Sequence, residues 1–245
     1  MEQQLLKGVV ISSMPVGEFD KRVVLLTKER GKITAFARGA RKQTSRFLAG
    51  TQPLTFGEYS VYQGRNAYTM VGVTVNKYFA DYLVDIDRMS YSMYFLELCD
   101  YFGREGIEAG ETINLLYRTI NALIASNVPY RLIRRIFELR MMLINGEYPD
   151  FFTCGKCRTD TTPKYYDLMN GRVLCEACAG DGSDKRYVEL NDSVLYTLQY
   201  IVSSKQEKLY GFTVTEEVLK TIEIIVGNIT QKVTDREFKS LEFLE

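Results

Sequence analysis

Short apolar or alternating runs separated by turn residues fill the first eighty residues; beyond about residue 80, apolar positions recur every third or fourth residue. The first pattern predicts strands at 5–13, 22–27, 32–38, 55–63 and 67–76, because successive strand side chains point to opposite faces. Alternation is clearest at 32–38: Ile33, Ala35 and Ala37 fall on one face, Thr34, Phe36 and Arg38 on the other. Gly17, Gly31, Gly39, Gly50 and Gly64 punctuate the strands. Five short strands in a small unit predict a closed barrel of the OB type, which leaves no bare sheet edge. An SH3-like barrel would carry the same signature.

The second pattern predicts helices. Met89, Met93, Leu96 and Cys99 mark one at 87–103, and Ile113, Leu116, Ile120 and Leu123 another at 112–125. A very apolar helix follows at 130–145, with Pro129 at its first position, and Gly146 and Pro149 bar its continuation. Two more are predicted at 192–203 and 214–233, the last with a capping box at Thr213 and Glu216. The expected fold class is α+β. A small N-terminal β-barrel at 1–80 precedes an all-helical domain at 81–245, which carries a cysteine module at about 150–183.

That module is the most specific chemical signal. Cys154 and Cys157, then Cys175 and Cys178, form two matched pairs with two residues inside each. Such spacing suits one tetrahedral zinc held by four thiolates; the rival is a pair of disulfides. Gly155 is small where backbone amides must turn towards sulfur. Asn170-Gly171 between aromatic and aliphatic runs predicts a hairpin, and 180–183 an exit loop. Four sulfurs fill four coordination positions, so one structural zinc is expected, with no open site for catalysis. Cys99, among Phe95 and Leu96, reads as a small buried hydrophobe.

Composition narrows the chemistry. The chain has no histidine, which removes the usual general base and the histidine-dependent nucleophile constellations. No phosphate-cradling Gly-rich loop or dinucleotide fingerprint is present. A non-enzyme is therefore expected. No apolar run approaches membrane-spanning length, and the polar start is unlike a secretory leader. A soluble, cytoplasmic protein without a membrane partner is the expectation.

Net charge is zero but unevenly spread. Residues 1–80 carry twelve Lys and Arg against five Asp and Glu, while the remainder carries nineteen against twenty-six. Residues 21–46 hold nine bases and one acid. Clustered bases predict a polyanion partner. The candidates are Arg22, Lys32, Arg38, Arg41, Lys42 and Arg46. Phe36, Tyr59, Tyr62 and Tyr68 are candidates for stacking on bases, although each also fits strand packing. On the helix at 130–145, Arg131, Arg134, Arg135 and Arg140 suggest a cationic rim beside an apolar groove, suited to an acidic tail. A face of solvated ion pairs through Glu138 is the competing reading.

Three stretches resemble the RecO family of DNA repair proteins. The first is Thr34-Ala35-Phe36-Ala37-Arg38-Gly39-Ala40-Arg41-Lys42 with Ser45-Arg46. The second is the order Gly8-Val9-Val10-Ile11, Gly17-Glu18-Phe19-Asp20, Val23-Val24-Leu25-Leu26-Thr27 and Gly31-Lys32. The third is Phe137-Glu138-Leu139-Arg140, then Gly146-Glu147-Tyr148-Pro149 leading into Cys154. The resemblance implies an OB-fold domain, a helical domain and a zinc module. It implies a recombination mediator that binds single- and double-stranded DNA, anneals complementary strands and helps load recombinase. It also implies two protein partners, RecR and the C-terminal tail of single-stranded DNA-binding protein. An RNA-binding OB protein of translation or ribosome assembly, with a structural zinc, is the alternative.

Overall fold

The computed structural model describes residues 3–79, 85–159, 161–180 and 182–244. The junction expected at 80/81 lies outside these residues, as do Asp160 of the cysteine module and Asp181 of its exit loop. The chain packs as two units, one of residues 1–120 with 238–245, the other of residues 121–237.

In the first unit, β1 (Gln3–Val16), β2 (Asp20–Thr27), β3 (Gly31–Ala37), β4 (Thr55–Gln63) and β5 (Tyr68–Tyr78) close into a barrel. The order is β1-β2-β3-β5-β4. Closure rests on the length of β1: its first half pairs with β4 and its second half with β2. β3 and β5 pair in parallel, the other neighbours antiparallel. This arrangement is the OB barrel and sets aside the SH3-like alternative. Ile33, Ala35 and Ala37 face inwards with Val10, Val23, Leu25, Tyr59, Val61 and Met70. The β3–β4 loop adds Ala40 and Phe47 to this core. Burying each large apolar side chain here stabilises the barrel by about 1.5–3 kcal/mol.

Helix α1 (Ile86–Phe102) belongs to the same unit and is capped by Asp85, whose carboxylate accepts from the Arg88 N–H at 2.7 Å. Its buried face differs from the predicted one. Leu96 and Cys99 are buried, but Met89 and Met93 are 50% and 47% exposed, while Ser90 and Ser92 are buried. The serine hydroxyls donate to the carbonyls of Ile86 and Arg88 one turn back, so burying them strands no polar group. Burial pushes the Cys99 thiol pKa well up, as befits a core residue. Helix α2 (Gly110–Ala125) follows.

The second unit contains α3 (Tyr130–Ile144), the short strands β6 (Tyr165–Asp167) and β7 (Arg172–Leu174), and the single turn α4 (Glu176–Ala179). Then come β8 (Tyr187–Glu189), α5 (Asp192–Ser203) and α6 (Glu216–Val233). Leu132, Ile133, Ile136, Phe137, Leu139 and Met142 of α3 form its apolar heart. The cap of α6 is Thr215, whose hydroxyl accepts from the Val218 N–H; Thr213 lies outside the helix. Among the described residues, no helix is long and apolar enough to cross a membrane.

Candidate metal centre and nucleic-acid interface

Cys154 and Cys157 precede the β6–β7 hairpin, and Cys175 and Cys178 follow it directly. The four Sγ atoms lie within 4.8 Å of one another, and none of the five cysteines is in a disulfide. The Cys157 and Cys175 sulfurs are 3.8 Å apart. Sulfurs about 2.3 Å from one tetrahedral centre would be about 3.8 Å apart, so the cluster fits one ion. The donor set leaves no position open for substrate.

The local electrostatics favour the thiolate at Cys154 and oppose it at Cys178. Burial opposes ionisation of Cys154, but amide hydrogens of Cys157, Cys175 and Lys156 aimed at its sulfur bring its pKa down to about 6. Burial and the adjacent sulfurs push Cys178 up to about 12. One ionised sulfur thus holds a neighbour protonated, and a central cation would remove that opposition. Gly155 has a further role beside the expected one. Its N–H donates to the Val173 carbonyl, and a Cβ there would come 3.1 Å from that of Arg172. Glycine therefore lets the knuckle lie against β7.

The hairpin turns through Leu168–Gly171, longer than a two-residue loop, because Asp167 organises it. Its carboxylate accepts from the amides of Met169 and Asn170 and from the Asn170 side chain. Burial alone would raise the Asp167 pKa, but these donors hold it low. The module is pinned to helices of its own unit. The Tyr166 hydroxyl donates to Asn228, Lys232 Nζ to the Met169 carbonyl, and Gln199 Nε2 to the Phe151 carbonyl.

On the barrel, Arg22, Arg38, Arg41, Lys42 and Arg46 are exposed. Strand register places Met14, Arg22, Phe36, Thr69 and Tyr62 in one row across the outer face. Phe36 is 37% exposed and Tyr62 half-buried. Tyr59 and Tyr68 are core residues, so of the four stacking candidates only Phe36 and Tyr62 present a surface. The basic loop after β3 is anchored. The Gly39 N–H donates to the Asp20 carboxylate at 2.8 Å, and the Arg41 guanidinium donates to the carbonyls of Gly17 and Glu18. Lys42 Nζ sits 5.2 Å over the Phe19 ring, and Arg46 donates to the Val71 carbonyl. Burial, and secondarily the Arg41 charge, lowers the Lys21 pKa. Lys32 stands apart from this cluster: its Nζ donates to the Asp100 carbonyl and lies 3.3 Å from that carboxylate.

The α3 arginines divide. Arg131 pairs with Glu216 and Glu223 of α6. Arg134 and Arg135 both pair with Glu138, which is fully buried. Arg140 does not join the expected rim. It is 5% exposed, and its Nη1 donates to the carbonyls of Ile201, Val202 and Ser204 at the end of α5. Arg140→Ala should cost about 2–3 kcal/mol, since it strands helix-end carbonyls that held a charged donor. Urea denaturation checks this, and DNA affinity at 25 °C should not change.

The N-terminal model of the recombination protein O family matches residues 1–79, and its C-terminal model residues 83–242. A protein of Acetivibrio thermocellus named DNA repair protein RecO is 28% identical over 239 residues, covering 97% of this chain and 94% of that one. The protein of that name from Alkaliphilus metalliredigens is 29% identical, with 96% of each chain covered. One from Clostridium perfringens strain 13 is 28% identical, with 97% and 96% covered.

Proposed function

The chain belongs to the recombination protein O family, and we propose that it is a non-enzymatic mediator of recombination in DNA repair. It binds single- and double-stranded DNA, anneals complementary strands and helps load recombinase on DNA coated with single-stranded DNA-binding protein. One observation carries this reading. An anchored loop bearing Arg38, Arg41, Lys42 and Arg46 borders a barrel face with Arg22 and exposed Phe36 in one row. Cations on a fixed loop track phosphates without reading sequence, and an aromatic on the adjoining face can stack on any base.

The metal in this reading is zinc, held by Cys154, Cys157, Cys175 and Cys178. It supplies cross-linking rather than chemistry. RecR and the acidic tail of single-stranded DNA-binding protein are the proposed protein partners. For the tail, the proposed contact is Arg131 with Arg134 and Arg135. Each is held by a carboxylate, so an incoming tail must displace Glu216 or Glu223 from Arg131. Arg131→Glu should weaken a tail peptide about tenfold, equivalent to about 1.4 kcal/mol. Glu216→Gln should strengthen it, and naked DNA should bind both variants as before. Calorimetric titration decides it: unchanged peptide affinity in an Arg131→Glu, Arg135→Glu double variant moves the tail site elsewhere.

The mediator reading itself is tested by annealing. Complementary strands coated with single-stranded DNA-binding protein should pair faster when the protein is added. No acceleration, with tight binding to structured RNA, would favour the translation or ribosome-assembly reading.

A further inference from the structure

A polar cleft of about 370 Å³ opens on the barrel beside the row already described. Its walls are Lys32 and Thr34 of β3, the β4–β5 loop from Gln63 to Tyr68, and Gly103, Arg104 and Glu105 after α1. Its volume falls within the range of small-ligand sites, about 300–1,000 Å³.

The walls are built to stand where they do. Gly31 has φ +64°, and a Cβ there would lie 2.1 Å from the Arg104 carbonyl oxygen. Glycine thus lets the segment after α1 pair with the start of β3, where the Lys32 N–H donates to that carbonyl and Gly31 bridges Glu105. Gly103 is equally confined: its Cβ would meet the Cys99 carbonyl at 2.8 Å and Lys32 at 3.1 Å. The Tyr68 hydroxyl donates to the Glu105 carboxylate at 3.4 Å. The Gly64 N–H donates to the Ala67 carbonyl, closing the turn that presents Arg65 and Asn66.

The lining mixes two chemistries. Lys32, Arg65 and Arg104 are cationic against Glu105. Gln63, Asn66 and Thr34 offer amide and hydroxyl groups that both donate and accept. Such a mixture suits a ligand with an anionic end and a polar heterocyclic end. Thr34 lies two residues from Phe36 on the same outer face of β3, so the cleft continues the exposed row. That step is about 6.6 Å along a strand, within reach of one unstacked nucleotide.

We infer that the cleft receives one nucleotide of the bound single strand. Its phosphate lies against Arg65 and Arg104, and its base edge against Thr34, Gln63 and Asn66. This rests on the barrel being the DNA face. The site lies beyond the basic loop and makes the strand cross β3 towards the β4–β5 loop.

The test uses the full chain and a fluorescent fifteen-residue thymidine strand, read by anisotropy across a salt series. Arg65→Glu should lower affinity about tenfold at 100 mM salt and flatten the log–log salt slope by about 1. Arg104 also donates to the Tyr101 and Gly103 carbonyls, so its loss could disturb the wall; Arg65, on an exposed loop, avoids that difficulty. A strand carrying 4-thiothymidine should cross-link to peptides spanning 63–68 or 103–105. Unchanged affinity and slope with adducts confined elsewhere overturns the inference. If replacing the four basic-loop residues weakens binding and flattens the slope while Arg65→Glu does neither, the cleft alone is wrong and the barrel face stands. If the four-residue variant binds normally, the barrel reading falls and this inference with it. Free thymidine monophosphate at millimolar concentration should not saturate the protein. Saturation that protects the same peptides would make this a free-nucleotide site and overturn the place given to the strand.

Discussion

Protein purified without chelator is expected to carry one zinc per chain, and Cys175→Ser to destabilise it by about 3 kcal/mol or more. The magnitude follows from the ligand set. Structural zinc contributes about 10–16 kcal/mol in small finger peptides, and one of four thiolates accounts for roughly a quarter of that. Cys175 is nearly buried, and its carbonyl accepts from the amides of Cys178 and Ala179, so its replacement disturbs the second knuckle as well as the centre. Strands β6 and β7 have only three residues each, too few to stand by themselves. The loss should appear in the helical unit, because Tyr166, Met169 and Phe151 tie the module to α5 and α6. DNA binding should survive at low denaturant, since the barrel has its own core. Elemental analysis with urea denaturation checks both halves. Less than about half an equivalent of zinc, or a stability change under about 1 kcal/mol, would remove the metal from the account.

The sequence shows this fold unevenly, for physical reasons. All five barrel strands and five helices are legible, because an apolar run or a repeating apolar period bounded by turn residues marks each of them. The cysteine cluster is legible because two matched pairs at this spacing suit one tetrahedral ion. Strand β8 is not: three residues carry no period, and it forms only because β6 offers a free edge. The exposed stripe of α1 misleads because Ser90 and Ser92 satisfy their hydroxyls within the helix and let methionine take the outside. Sequence alone does not separate the four aromatic candidates; strand register and burial assign Tyr59 and Tyr68 to the core. Arg140 and Lys32 find their partners 61–64 and 68 residues away, beyond any local pattern. The cleft is hidden for the same reason: Arg65 and Arg104 meet only through closure of the barrel and the pairing of Gly31 with Glu105.

The central claim is that the barrel face and its basic loop hold the DNA by its phosphates. Replacing Arg38, Arg41, Lys42 and Arg46 together by Ala should have the largest effect on binding. The anchoring bonds of Arg41 and Arg46 lie on the surface, so their loss costs little stability, and Ala40 and Phe47 keep the loop in the core. Annealing should be abolished, and the melting temperature should fall by no more than a few degrees.

The salt dependence of single-strand affinity tests this most directly. With roughly six phosphates neutralised, affinity of the unaltered protein should fall about 300-fold between about 50 and 200 mM salt, a slope near −0.7 per contact. The four-residue variant should lose about 3 from that slope, leaving roughly a sevenfold fall over the same range. Replacing Arg158 and Arg172 of the cysteine module should change the slope by less than about 1. A variant of the basic loop that keeps the full slope, with a module variant that loses it, would contradict the account and move the DNA site to the metal module.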